Sequence, residues 1–336
     1  MNFSLLKKTF AAVLAALTAF SCVACGGGGN EDEENNTPTG DPKATMYMLK
    51  EATDFMMGFV IVTDKDNVII VDGGRPSDMP NIKQYVGGRK IKAWILTHPH
   101  NDHISGFISE MEKNGGADFD IEKIYYNFPD YDKLMLKTAS EVPNLSYFRA
   151  DISETLPSFK AVKSKFADKE HIVQQGEEIQ IDDVHIEFLY TYHDGVYKLY
   201  DNPMNDASLV FKLSTPKNSV MFLGDLGPVG GDVLLEESAS KLKADIVQMA
   251  HHGHMNVDKN VYEAIGAKVC LWSAPIWLYN EPADFGPNVI TPTWLAKAPL
   301  SRPRMYGTMR TREWMDELGA TTHLVSGFGT QTVCLY

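Results

Sequence analysis

Within six positions the chain reads His-Pro-His-Asn-Asp-His, so that His98, His100, Asp102 and His103 crowd four metal-binding side chains together. Imidazole nitrogen and carboxylate oxygen suit Zn²⁺ and neighbouring first-row ions, and side chains this close can converge without help from distant chain. A single histidine in a loop is ordinarily solvated; three of the chain's ten, interleaved with aspartate, read as a metal site. A divalent ion held there lowers the pKa of water from about 15.7 to about 7 and supplies hydroxide at neutral pH, for attack on a carbonyl carbon or on phosphorus. No Gly-x-Ser-x-Gly sequence and no nucleotide-binding glycine loop competes with this chemistry.

The elements around these residues must bring them to one place. Residues 91–96 form a compact apolar run, predicted as a buried strand that delivers His98 off its end, and strand ends are where functional loops concentrate. Upstream, 56–62 and 67–71 read as two strands of a hairpin, the second ending in Asp72-Gly73-Gly74. Downstream, strands are predicted over 123–127, 179–181, 185–191, 207–213, 219–223, 245–250 and 269–273, with a closing hairpin of 322–325 and 330–335. Helices are predicted over 81–87, 106–113, 158–167, 231–243, 260–265 and 311–318, and 132–156 has no clear pattern. The strand at 219–223 is closed by Asp225, and the one at 245–250 runs into His251-His252-Gly253. No repeat of 20 to 50 residues occurs, although the strand-rich series appears twice.

His98-x-His100-x-Asp102-His103 after a strand resembles the signature of the metallo-β-lactamase superfamily. The resemblance implies an α/β fold, an αββα sandwich of two mixed β-sheets between helices. It implies two divalent ions, with His98 and His100 on the first and Asp102 with His103 on the second. Asp225 then looks like the family's bridging carboxylate, and Asp102 or Asp225 would move the proton. Asp72 matches the first motif, a residue that orients the histidine loop from behind. One histidine of the His251-His252 pair would complete the first site. The reading favours His251, which leaves the strand first, with His252 as the alternative and His254 as a pocket residue.

The third family motif departs from the common pattern. His193, in Thr191-Tyr192-His193-Asp194, is one candidate ligand. Asn205 and Asp206, in Asn205-Asp206-Ala207-Ser208-Leu209-Val210, are others. That segment, with the later His-His-Gly, resembles the metallo-β-lactamase domain of competence proteins related to the DNA-uptake channel, over about 46–336. Zn²⁺ is the expected metal, and Mn²⁺ becomes an alternative if Asn205 or Asp206 makes the second site more oxygen-rich.

The N-terminus has its own chemistry. Lys7 and Lys8 precede a short apolar run, 10–20, that fits a secretion signal better than a membrane span. Val23-Ala24-Cys25 followed by four glycines resembles the lipobox of bacterial lipoproteins, which implies lipidation of Cys25, with Cys22 as the rival. Residues 1–24 are therefore expected to be a signal peptide, 25–43 an acidic flexible tether, and 44–336 one hydrolase domain. Cys270 and Cys334 in that domain permit one disulfide. The net charge of −13 disfavours grip on long nucleic acid, which needs a basic face.

The leading expectation is thus a membrane-anchored, extracytoplasmic, metal-dependent phosphodiesterase acting on a small-molecule or cell-envelope phosphoester. The alternatives are a lactonase or β-lactamase-type acyl hydrolase on the same centre, and a lipoprotein that binds through a metal without turnover. Residues 272–309 are rich in proline and aromatics and read as an excursion beside the pocket, where Trp277 and Tyr279 offer faces for a quaternary ammonium. Arg302, Arg304 and Arg310 are candidate phosphate contacts there.

Overall fold

The computed structural model describes residues 43–142, 145–192, 204–284 and 306–336. Its strands, in chain order, are β1 (Thr45–Met48), β2 (Gly58–Val62), β3 (Val68–Asp72), β4 (Ile91–Ile95), β5 (Ile124–Tyr126), β6 (Glu170–Ile172), β7 (Glu178–Ile181), β8 (Val184–Tyr190), β9 (Val210–Ser214), β10 (Ser219–Phe222), β11 (Ile246–Gln248), β12 (Val269–Trp272), β13 (Thr322–Val325) and β14 (Gln331–Cys334). Among the described residues these make two seven-stranded sheets, ordered β14-β1-β2-β3-β4-β5-β6 and β13-β12-β11-β10-β9-β8-β7. Each sheet is mixed in the same way. Pairing is antiparallel from β14 to β3 and from β7 to β10, then parallel from β3 to β6 and from β10 to β13.

Central strands here are buried on both faces, and so their segments read as nearly unbroken apolar runs. In β2, Phe59 and Ile61 join the core between the sheets while Val60 packs under the outer helices. In β10, Val220 and Phe222 join the inner core and Met221 the outer one. The rings of Phe59 and Phe222 meet edge to face at 5.1 Å across the sandwich. Helices Met79–Val86, Asn101–Asn114 and Leu156–Val162 cover the first sheet, and Pro228–Ser238, Lys259–Ile265 and Thr308–Glu317 cover the second. The fold is the expected αββα sandwich.

Several local expectations change. The predicted closing hairpin does not form, because β13 pairs with β12 at the edge of one sheet and β14 with β1 at the edge of the other. The chain ends by stitching the two sheets together. Cys270, buried in β12, and Cys334, in β14, belong to different sheets, and no disulfide joins the two. The helix expected from 106 starts at Asn101, with His100 as its N-cap, so Asp102 and His103 sit in a first helical turn and not in an open loop. The stretch without a pattern holds two helices, Tyr131–Met135 and Leu145–Ile152. Among the described residues, no helix is long and apolar enough to cross a membrane.

This topology gathers chemistry at one place. Asp72 ends β3, Thr97 and His98 follow β4, Asp225 follows β10, His252 follows β11 and Ser273 follows β12. These are carboxyl ends of strands that run parallel to a neighbour, where α/β sheets open their crevices. The histidine-bearing helix lies directly on the turn after β3: Gly73 N–H donates to the His103 carbonyl at 2.7 Å and Gly106 N–H to the Gly74 carbonyl at 2.8 Å. Only glycine permits that approach at 106, since a Cβ there would lie 2.4 Å from the Gly73 carbonyl oxygen.

Candidate metal centre

Six side chains converge on two donor groups. One is Asp102, His103, Asp225 and His252; the other is His98, His100 and Asp225; within each, the donor atoms lie within 4.8 Å of one another. All are buried, His98 and His103 completely. Asp225 belongs to both. Its Oδ1 lies 3.2 Å from His103 Nε2, and its Oδ2 lies 3.7 Å from His98 Nε2 and 3.6 Å from His252 Nε2.

Each imidazole is held from behind, which fixes the nitrogen that faces the centre. His252 Nδ1 lies 2.7 Å from the Ser273 carbonyl oxygen, which can only accept, so Nδ1 carries the hydrogen and Nε2 presents a lone pair. His103 Nδ1 donates to Asp72 Oδ2 at 2.7 Å, and His100 Nε2 donates to Asp151 Oδ1 at 2.9 Å. Thr97 Oγ1 gives its hydrogen to Asp72 Oδ2 at 2.7 Å and lies 3.2 Å from His98 Nδ1, free to accept from it. The inward atoms are then all acceptors.

That arrangement fits cations. His98 Nε2 and His100 Nδ1 stand 3.1 Å apart, lone pair toward lone pair, and His252 Nε2 stands 2.9 Å from Asp102 Oδ2. His103 Nε2 and Asp225 Oδ1, both buried, face each other at 3.2 Å with no other hydrogen-bond partner. Acceptors forced together out of water need a positive charge between them, whether protons or metal.

Without metal, protons take that place. Burial opposes charge on His103, but Asp225, Asp102 and Asp72 together hold its pKa well above the usual histidine range. Burial likewise opposes charge on His252, and Asp225 with Asp102 outweighs it and raises the pKa. Burial would lift the Asp225 carboxyl, yet His103, His252 and His98 hold it well below the usual carboxylate range. His98, buried and beside His103, is pushed well down. Burial alone would lower His100, but Asp151 raises it to about 9. A divalent cation competes with these protons for the same lone pairs.

Asp72 is the hub. Besides His103 and the Thr97 hydroxyl, its Oδ1 accepts from Thr97 N at 2.7 Å, and its own carbonyl accepts from Trp94 Nε1 at 2.9 Å. On the other strand end, Gln248 is fully buried and serves both late turns. Its Oε1 accepts from Leu223 N at 2.8 Å and its Nε2 donates to the Gly224 carbonyl at 3.0 Å, while Ser208 Oγ accepts from Asp225 N at 3.0 Å.

Of the expected last-motif pair, the structure turns His252 inward and not His251, against the preference for His251. It also places that histidine with Asp102 and His103, and so corrects the expectation that it completes the site of His98 and His100. The turn is strained, with φ of 48° at His251 and 55° at His252, and it aims the second ring into the cluster. His251 Nδ1 instead lies 3.3 Å from the Met255 carbonyl, with its ring 4.6 Å from that of His254. We expect His252→Ala to lose about one bound ion per chain and His251→Ala to keep both, read by metal analysis of the purified variants; the reverse pattern would return the role to His251.

The third-motif candidates divide. Asp206 is in neither donor group: its Oδ1 accepts from Gly227 N at 3.2 Å and Gly230 N at 3.1 Å, at the start of the helix after Asp225. Burial lifts this carboxyl to about 7 against those two bonds. It supports the Asp225 turn from beneath. Asn205 is buried in the same turn, its carbonyl accepting from Ser208 N at 3.0 Å. His193 and Cys25 lie outside the described residues, as do Cys22, Arg302 and Arg304.

Sequence reasoning missed Asp151. Helix Leu145–Ile152 and the residues after it clamp the metal loop at three successive points: Asp151 on His100, Asn101 Nδ2 donating to Glu154 Oε1 at 2.7 Å, and Thr155 Oγ1 donating to the Pro99 carbonyl. No spacing in the sequence announces contacts across some fifty residues. Two other expectations do not hold. Arg312 lies over one face of buried Tyr279 at 4.1 Å and takes a cation's place there, and Arg310 is paired with Asp284 and Glu313.

The sequence pattern of the Metallo-beta-lactamase superfamily matches residues 58–200. With the two mixed sheets between helices, it gives the metallo-beta-lactamase fold. Among solved structures, the chain is similar to the metallo-beta-lactamase fold protein YhfI from Bacillus subtilis, at 16% identity over 86% of this chain and 100% of that one, with a TM-score of 0.47. It is also similar to a diphosphatase from the PhnP family, at 14% identity over 68% and 85% of the two chains and a TM-score of 0.39. A third is CmlA, a diiron beta-hydroxylase from Streptomyces venezuelae, at 10% identity over 88% and 54% and a TM-score of 0.44. No curated protein matches the sequence.

Proposed function

We propose that this chain is a dinuclear metal-dependent hydrolase of the metallo-beta-lactamase superfamily, and that it cleaves phosphodiesters. The observation that carries the reading is the pair of buried donor groups sharing Asp225, every inward atom an acceptor. Asp102, His103, His252 and Asp225 would hold one ion and His98, His100 and Asp225 the other. When bound, two divalent cations supply Lewis acidity and bring the ionisation of water near neutral pH. Nitrogen donors favour Zn²⁺, and the two carboxylates leave room for Mn²⁺.

The chain's own residues do the rest. Asp225 keeps the two groups together, because two nearby cations need a shared anion. Asp102, facing His252, or Asp225 takes the proton of the attacking water. Asp72, Asp151 and the Ser273 carbonyl keep the imidazoles in register, so the site is organised before substrate arrives. A phosphodiester suits this layout because charge develops on both the attacking and the departing oxygen, and positive charge on each side can meet both. The likeness of 205–210 to competence-protein domains supports the same substrate chemistry. The net charge of −13 favours a small or envelope-borne ester over long nucleic acid.

The test compares bis-p-nitrophenyl phosphate with a lactone and a cephalosporin. Phosphodiester turnover should exceed that of an Asp102→Ala control by about a hundredfold or more, since the Lewis acidity lost with a ligand amounts to several kcal/mol and each 1.36 kcal/mol is about tenfold in rate. Turnover equal to the control, with the lactone or cephalosporin cleaved, would transfer the site to acyl chemistry; cleavage of none of them by metal-loaded protein would leave a binding protein. Export and anchoring through Cys25 belong to the same proposal. Labelling with radioactive palmitate should mark the intact chain and not Cys25→Ser; equal labelling of both would remove the anchor.

A further inference from the structure

We infer that the substrate carries an alkyl or aryl group beside its scissile bond, seated on an apolar ledge that starts at the metal centre; this rests on the hydrolase reading above. The ledge begins with Phe55, whose ring meets His252 edge to face at 5.0 Å. Beyond it stands Trp277, 6.1 Å from Phe55 and 58% exposed. Ile276, 46% exposed, precedes it in the helix Ile276–Tyr279, and Phe328, 65% exposed, lies 6.3 Å from Tyr279 of the same helix. Single exposed apolar side chains are ordinary, but three at one short helix and the turn beside it, next to a buried polar cluster, mark a surface that something covers.

The position of the ledge says what covers it. Both of its sides are built by the elements that hold the metal donors. The Phe55 loop is tied to the histidine-bearing helix by Met57 N donating to the Asp102 carbonyl at 3.0 Å. Arg75 donates from Nε to the Phe55 carbonyl at 3.3 Å and lies over its ring at 5.4 Å, so Phe55 is fixed before any ligand arrives. On the other side, the helix of Trp277 starts three residues after Ser273, whose carbonyl orients His252. A group bound at the donor atoms therefore has polar chemistry on one side and, on the other, the rings of Phe55 and Trp277 in succession. An ester with a hydrocarbon substituent next to the reacting atom satisfies both; a bare headgroup leaves the ledge in water.

The experiment uses full-length, metal-loaded protein and two esters with one leaving group, methyl and octyl p-nitrophenyl phosphate, the octyl ester below its micelle concentration. We expect kcat/KM for the octyl ester to exceed that for the methyl ester by about tenfold or more, and Trp277→Ala to reduce that ratio by about tenfold, from the apolar area withdrawn from water. Binding without chemistry is read from tryptophan fluorescence: octylphosphonate should shift the emission and methylphosphonate should not, with the shift lost in Trp277→Ala. Equal kcat/KM for the two esters, with no fluorescence discrimination, overturns the ledge and leaves the phosphodiesterase reading intact. A fluorescence response without turnover of either ester overturns that reading and leaves the ledge. Presenting the octyl ester in phosphatidylcholine vesicles then separates a bilayer-borne substrate, cleaved faster there, from a soluble one, cleaved slower; either keeps the ledge.

Discussion

Replacing Asp225 with alanine should lower the bound metal from two ions per chain to fewer than one, and hydrolysis by about a thousandfold or more. Asp225 is the only side chain in both donor groups among the described residues. Its two oxygens face three imidazoles, and its backbone is pinned by Ser208 and the buried Gln248 turn. Without it, each group loses a donor, and two cations would face each other with their shared anion gone. Lewis-acid stabilisation amounts to several kcal/mol, and each 1.36 kcal/mol is about a tenfold change in rate, which gives the expected magnitude. Loss of a buried charge from a compensated cluster can also unfold a protein, so Asp225→Asn, which keeps the shape, is the companion variant. Both should retain the wild-type circular dichroism spectrum in the absence of metal. A variant that still binds two ions tightly would show that Asp225 does not bridge.

The second large effect is expected at a residue outside both groups. Asp72→Asn should weaken the ion at His103 by about ten- to hundredfold. The reason is a tautomer. Asp72 Oδ2 accepts from both Thr97 Oγ1 and His103 Nδ1. An asparagine can keep its oxygen on Thr97 N, but its amide then points hydrogens at His103 Nδ1. The imidazole must move its own hydrogen to Nε2, which aims it at Asp225 Oδ1, 3.2 Å away, where a lone pair is required. Stability should fall by about 1–3 kcal/mol, the cost of an imperfectly paired buried polar group. Metal titration followed by denaturant unfolding reads both effects. Unchanged affinity at both sites would mean that the hub holds the fold and not the tautomer.

Much of this was legible in the sequence, for a physical reason. Ligands close together in sequence, as in His98 to His103, form a local motif, and apolar strands that end in aspartate or histidine mark where the motif must lie. Asp225 and the His251-His252 pair were visible as strand-end residues, yet which ring turns inward depends on the left-handed backbone at both histidines, and composition does not disclose that. The placement of that ring beside Asp102 also needed the geometry of two sheets at once. Asp151 was invisible because it comes from a short helix with weak patterning and acts across 51 residues on His100. Strand β14 was misassigned as half of a hairpin because alternation predicts a strand and not its partner; Leu335 N donating to the Ala44 carbonyl, and β1 beside it, claim it for the other sheet.

The centre itself is tested most directly by counting and locating its ions. Full-length protein loaded with Zn²⁺ and crystallised should show two anomalous scattering peaks, one among Asp102, His103, Asp225 and His252 and one among His98, His100 and Asp225, with Asp225 touching both. Elemental analysis of the same protein should give about two ions per chain. A single peak, or none, at saturating metal would contradict the dinuclear centre on which the proposed chemistry depends.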